Sequence, residues 1–234
     1  MKKASSDSLL DQYNAEYEEY LRFLASGLTN LKNTSHYERD ASLLCEIVFH
    51  RSYVAYENMI SEYIIMIINN DATKYIGYRE NAIIQSIREK YNSWDSSRIS
   101  FKPTKNIKME EIRNLIDKNG ENITFSNYSD FVSKTSTWLP SAATNKIRKI
   151  SSSDQELVNC GRLIRNAIAH QSTRAFKEMN EYLLSLRSQG VLLSFTDRIN
   201  SVKNIGSYLK TKKRSEMRVE SFIKSFQKIC VLLK

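Results

Sequence analysis

Arg165, Asn166 and His170 are the residues of this chain best suited to chemistry. Imidazole gives and takes a proton near neutral pH more readily than any other side chain. A guanidinium is a permanent, forked cation that matches a phosphate. Together they point to chemistry on a phosphodiester. Only three histidines occur in 234 residues, so each placement can be weighed. Arg165 and Asn166 interrupt a largely apolar stretch, 157–168, that reads as a packed helix. Asparagine is a poor helix-interior residue because its amide competes for backbone hydrogen bonds. Asn166 and His170 lie four apart and share a helix face, so the amide can orient the imidazole. Arg165 and His170 lie five apart, about 140° around an ideal helix. They converge only if the helix is distorted or ends there, or if a second copy of the chain completes the site. The plainer reading is a helix-end histidine favoured by the dipole beside a snorkelling arginine. His36 and His50 have no arginine so placed and read as ordinary surface or core residues.

The elements that must hold these residues are helical. Leu9, Tyr13, Tyr17, Tyr20, Leu21 and Leu24 recur at spacings of three and four and predict a helix over 8–31. Residues 37–69 predict a second, very long helix, apolar on most sides in its latter half, so that neighbours must cover it. A shorter helix is expected over 76–92, with Ile83, Ile84, Ile87 and Tyr91 on its apolar face. From 92 to 152 the texture turns polar and both prolines fall there, which predicts an insertion with small helices near 108–118 and 128–136. Ser153-Asp154 is a suitable cap for the helix ending near His170. Helices over 173–186, from Thr196 to Leu209, and over 215–233 follow, with a short apolar and extended run at 191–195. The expected fold is all-α, a bundle-like single domain over 1–234 with core helices at about 7–91 and 153–233.

Composition narrows the class. Six Gly and two Pro favour long helices over turn-rich sheets. Cys45, Cys160 and Cys230 are odd in number and widely spaced, so neither a zinc site nor a disulfide framework is expected, and no metal or other cofactor is. Each reads as a small buried apolar residue in a reducing, cytoplasmic setting. Met1-Lys2-Lys3 leads into polar residues, so no signal peptide is expected. The most apolar segment, 53–68, carries Glu57 and Glu62 and is too short and too charged to span a bilayer. The net charge of +9 is uneven: residues 1–62 hold six Lys or Arg against ten Asp or Glu, a net −4, and residues 201–234 hold nine against two, a net +7. A basic tail suits a polyanionic partner, or it is simply a solvated helix surface.

The segment Leu163-Ile164-Arg165-Asn166-Ala167-Ile168-Ala169-His170 resembles the signature of the HEPN superfamily (higher eukaryotes and prokaryotes nucleotide-binding domain). Its hallmark is an arginine, four to six residues, then a histidine, often with Asn directly after the arginine. The chain is especially similar to prokaryotic HEPN proteins of the RiboL-PSP type. Those carry an acidic residue on a long apolar helix well before the motif, as Glu57 does here, and a closing helix after it. The likeness covers the overall layout, with only the motif specific; residues 92–152 have no counterpart. The toxin branch paired with a nucleotidyltransferase antitoxin carries a tyrosine two positions after the histidine, where this chain has Ser172, which sets it apart from that branch.

The resemblance implies an HEPN-like helical bundle and a metal-independent endoribonuclease, a toxin or antiphage abortive-infection effector. Such domains act as homodimers with motifs from both chains lining one cleft. On that reading His170 moves the proton of the RNA 2′-hydroxyl or of the leaving 5′-oxygen, Arg165 steadies charge on the phosphorane, Asn166 positions, and Glu57 orients Arg165. The basic residues Lys210, Lys212, Lys213 and Arg214 would hold RNA backbone by counterion release. An antitoxin or regulatory protein is a further expected partner. The alternative is a non-catalytic HEPN-like module that binds RNA, nucleotide or protein without turnover.

Overall fold

The computed structural model describes residues 5–104, 106–116, 123–187, 201–213 and 215–234. Among these the protein is all-α, with one two-residue pair of strands. No helix of the described residues is long and apolar enough to cross a membrane. The helices are α1 (Ser6–Leu31), α2 (Tyr37–Asn70), α3 (Thr73–Lys90), α4 (Ser93–Ser97), α5 (Met109–Ile116), α6 (Tyr128–Trp138), α7 (Ser141–Arg148), α8 (Ser152–His170), α9 (Thr173–Arg187), α10 (Ile205–Lys210) and α11 (Arg218–Leu233). The strands β1 (Lys212–Lys213) and β2 (Glu216–Met217) pair antiparallel just before α11.

The chain forms two compact units. One contains residues up to 9 and 60–149, and the other residues 10–59 and 150–234, so α2 supplies its end to the first and its preceding two-thirds to the second. In the unit of 60–149, Tyr63, Ile64, Ile68, Tyr75, Ile112, Phe131, Leu139 and Ile147 are buried. Its loops are tied to α2 by polar bonds. The amide of Asn69 donates to the Ile107 carbonyl at 2.8 Å. The Ile123 N–H donates to the Ser61 hydroxyl at 2.7 Å, and Arg113 grips Glu62 through both guanidinium nitrogens. The polar stretch is thus more helical than its composition predicts. α4 and α7 were not foreseen, because each is a short helix set by its start: the Asn92 side chain accepts from the Asp95 N–H, and Pro140 precedes Ser141 with a fixed φ.

The unit of 10–59 and 150–234 is built on aromatic packing. Phe49, Tyr53 and Tyr56 of α2 interlock with Phe222 and Phe226 of α11, with ring centroids between 4.9 and 6.3 Å apart. Offset and edge-on pairs of this kind add about 0.5–1.5 kcal/mol each beyond their buried area. Tyr17 of α1 closes the cluster against Phe226. All three cysteines are free and buried, as the sequence suggested. Gly161 of α8 sits against the Tyr53 ring: an added Cβ would lie 2.9 Å from Cε2 and 3.0 Å from Cδ2, so only glycine lets α8 come this close to α2.

Boundaries differ from expectation where side-chain caps rather than apolar periodicity set them. α8 starts at least two residues earlier than predicted because Ser151, not Ser153-Asp154, caps it: the Ser151 hydroxyl accepts from the Asp154 N–H at 3.3 Å. The helix expected over 196–209 begins at Ile205, where Asn204 accepts from the Ser207 N–H. Its first residues and the run at 191–195 lie outside the described residues. The closing helix begins at Arg218 rather than 215, because the β1–β2 turn occupies 212–217.

Asp154, buried in the first turn of α8, joins that helix to α11. It accepts from the Ser225 hydroxyl at 2.9 Å and pairs with Lys228. Burial alone would raise its carboxyl, but hydrogen bonds from Lys228, Ser151 and Ser225 and the charge of Lys228 outweigh it and hold the carboxyl below its ordinary value. A depressed folded value means that the stabilisation is present above the unfolded value, near 3.9, and is lost as pH falls through the folded one. Asp154→Asn is therefore expected to cost on the order of 2 kcal/mol at pH 7, the scale of a charge-assisted hydrogen bond. Urea unfolding across pH checks this: the gap from the parent should close below about pH 4, and a gap that ignores pH would assign the loss to packing instead of charge.

Candidate active site

The residues singled out from the sequence lie in the unit of 10–59 and 150–234. α8 presents Arg162, Arg165 and Asn166 on successive turns, and α2 presents His50, Tyr53 and Glu57 on one face, at spacings of three and four. The two faces meet where Arg165 faces Glu57. Arg165 Nη2 lies 3.3 Å from Glu57 Oε2, and its Nη1 donates to Asn166 Oδ1 at 3.2 Å. The pair is sheltered, with the Glu57 side chain 12% exposed and that of Arg165 30%. Three of the expected site residues, Arg165, Asn166 and Glu57, are thus brought together. Asn166 serves Arg165 directly, where the sequence suggested service to His170.

Burial pushes the Glu57 carboxyl up, and the charges of Arg165 and Arg162 only partly pull it back, so it stays above the ordinary carboxylate value. Burial dominates although a guanidinium is in contact, because removing a carboxylate from water costs more than one imperfectly aligned cation returns. A guanidinium has five N–H donors. In Arg165 one goes to Asn166, another faces Glu57, and buried Nε finds no acceptor among the described residues. Arg162 Nε is likewise buried without an acceptor. Two guanidinium charges thus bear on Glu57, Arg162 bearing also on Glu178, and positive potential of this kind favours an anion.

His50 was read from the sequence as an ordinary residue, and the structure gives it a different setting. It is half-buried, and burial, then the charges of Arg165 and Arg51, hold its imidazole below the ordinary histidine value. At neutral pH that ring is an uncharged acceptor of protons beside a cationic site. Sequence could not reveal this, because its partner Arg165 is on another helix; the one available signal was its place a turn before Tyr53 and two before Glu57.

His170 is the last residue of α8 and is exposed. α8 remains a regular helix to this point, with the Gln171 N–H donating to the Ala167 carbonyl at 3.0 Å. Gln171 then takes the left-handed conformation, φ 47°, and ends the helix. His170 forms no hydrogen bond or ion pair among the described residues, so nothing in its own unit draws it toward Arg165. Lys210 is committed to Glu38 and lies over the Tyr37 ring, and Lys212 and Lys213 form β1, with Lys212 exposed. Arg214 lies outside the described residues. No cluster of three metal-ligating side chains occurs among the described residues.

Removing Arg165 takes away the cation with the largest hold on Glu57. In Arg165→Ala the Glu57 carboxyl is expected to titrate at higher pH than in the parent, read by carbon-13 NMR of the glutamate carboxyls. An unchanged titration would mean that Arg162 supplies the counter-charge.

No family model matches this chain, and neither a curated protein nor a solved structure matches it.

Proposed function

We propose that this protein is a metal-independent endoribonuclease of the HEPN type, active as a homodimer and serving as a toxin or abortive-infection effector. The observation that carries the reading is the pair of arginines, Arg162 and Arg165, beside the sheltered carboxylate of Glu57, on the same helix that ends in an exposed, uncommitted His170. Arg165, fixed by Glu57 and Asn166, offers its remaining N–H groups to the phosphate and stabilises charge as the phosphorane forms. His170 removes the proton of the 2′-hydroxyl or delivers one to the departing 5′-oxygen. The O2′–P bond forms as the P–O5′ bond breaks, leaving a 2′,3′-cyclic phosphate and a 5′-hydroxyl. Positioned acid–base catalysis of this kind contributes roughly 10²–10⁴-fold.

A second copy supplies the second imidazole. Support comes from α2, where Leu43 and Ile47 are 55% and 50% exposed, two turns and one turn before His50. Large aliphatic side chains left open beside a polar site are the pattern of a surface that another chain covers.

The decisive experiment incubates end-labelled RNA with the protein in excess chelator. Cleavage is expected, with cyclic-phosphate ends, and none where a 2′-deoxynucleotide replaces the nucleotide 5′ of the scissile bond. His170→Ala should lower the rate by at least about 10²-fold and abolish growth arrest, with sedimentation still reporting a dimer. Undiminished cleavage by that variant would refute the assignment, and RNA bound without turnover would mark a binding module.

A further inference from the structure

The corner between α3 and α4 exposes two large aromatic side chains. Tyr91 is 64% exposed and Trp94 is 63% exposed. Rings of this size normally sit inside a fold or at a place where something covers them. A cation accompanies each: Lys90 Nζ lies 5.7 Å from the centre of the Tyr91 ring, and the Arg98 guanidinium carbon lies 4.9 Å from that of Trp94. Arg88 and Lys102 flank them, so residues 88–102 carry four cations against Glu89 and Asp95.

The corner is ordered by its own hydrogen bonds. The Tyr91 N–H donates to the Ile87 carbonyl at 2.9 Å and ends α3. Asn92 caps α4 by accepting from the Asp95 N–H at 3.0 Å, and Ser96 is buried where α4 folds back on α3. The backbone that carries the rings is therefore ordered before anything binds, which lowers the entropy cost of stacking on them.

Interleaved cations and open rings match one kind of polymer. A single-stranded nucleic acid offers unstacked base faces to aromatic and guanidinium planes, and phosphates to lysine and arginine. A duplex hides those faces in its own stack, and an apolar protein surface would leave the four cations unmatched. We propose that the Tyr91–Trp94 corner, with Lys90 and Arg98, is a stacking site for single-stranded RNA. The choice of RNA rests on the ribonuclease reading, whereas the stacking itself does not.

Two tryptophans are present, Trp94 and Trp138. A Trp138→Phe protein therefore reports on Trp94 alone. Titration with a 2′-O-methyl oligouridylate, which the proposed reaction cannot cleave, is expected to quench that fluorescence to saturation. Trp94→Ala in the parent, an exposed position where circular dichroism is expected to report an intact fold, should weaken binding about 5- to 100-fold, the range for one lost base stack. Arg98→Ala should lower the salt dependence by about one counterion. Oligothymidylate binding as tightly as the RNA mimic supports a stacking site that reads base faces. Unquenched Trp94 at saturation, unchanged affinity of Trp94→Ala, or tighter binding of a duplex each overturns the proposal. Quenching by a protein that never cleaves RNA would sink the ribonuclease reading and leave this site standing, and cleavage without quenching would do the reverse.

Discussion

The contact between Arg165 and Glu57 is the constraint on which the candidate site depends. Neither charge could remain sheltered alone, since an isolated ion taken from water costs several kcal/mol. Each therefore fixes the other, and with it the rotation of α8 about its axis relative to the first part of α2. Gly161 sets the spacing by letting the Tyr53 ring lie against the α8 backbone one turn before Arg165. The pairing is unequal. Arg162 and Arg165 bear on one carboxylate that burial already draws toward its neutral form. A balanced ion pair would make an inert strut; this one lies next to an imidazole, His50, that burial, then the charges of Arg165 and Arg51, hold below its ordinary value.

That geometry rests on the aromatic cluster of α2 and α11 and on the buried carboxylate of Asp154. Phe222 and Phe226 hold α11 against the face of α2 that carries Tyr53, and Asp154 ties α11 to the beginning of α8. The helix that ends in His170 is thus anchored at its first turn through Ser225 and Lys228, and in its fourth turn through Glu57. Its last turn, with Ala169 and His170 exposed, lacks an anchor of that kind among the described residues.

The sequence made the long helices legible because each buries one continuous stripe, and a stripe is a local signal. α1, α2, α8 and α9 fall within a few residues of their expected limits. α4, α7 and the β1–β2 turn escaped notice because they are five, eight and two residues long, too short for a period to register. The site was legible only in part. Arg165 and Asn166 stood out as polar breaks in an apolar run, and Glu57 as a charge in another. His50 gave no comparable sign, since what distinguishes it is its burial and then the field of an arginine more than a hundred positions away. The exposure of Tyr91 was also hidden. In the sequence it continues the apolar face of Ile83, Ile84 and Ile87, and only the fold shows that face ending in solvent.

The regularity of α8 up to its last residue bears on how the chemistry can be assembled. A distorted final turn could have swung His170 round to Arg165, but the backbone bond from Gln171 to Ala167 keeps the ideal angle between them. Five residues of intact helix set the two side chains about 140° apart and about 7.5 Å apart along the axis. Arg165 is further turned toward α2 by Glu57. A phosphate seated on Arg165 therefore lies on one side of α8, whereas His170 leaves the end of the helix on another. On the proposed ribonuclease reading, a chain that binds such a phosphate does not bring its own His170 in line with the attacked bond. The arrangement would, on that same reading, become productive when the imidazole arrives from a symmetry-related α8, since a twofold axis near the helix end reverses the direction in which His170 projects. Dimerisation on this reading is a requirement of helix geometry, and the open Leu43 and Ile47 on α2 give that second chain a surface to cover.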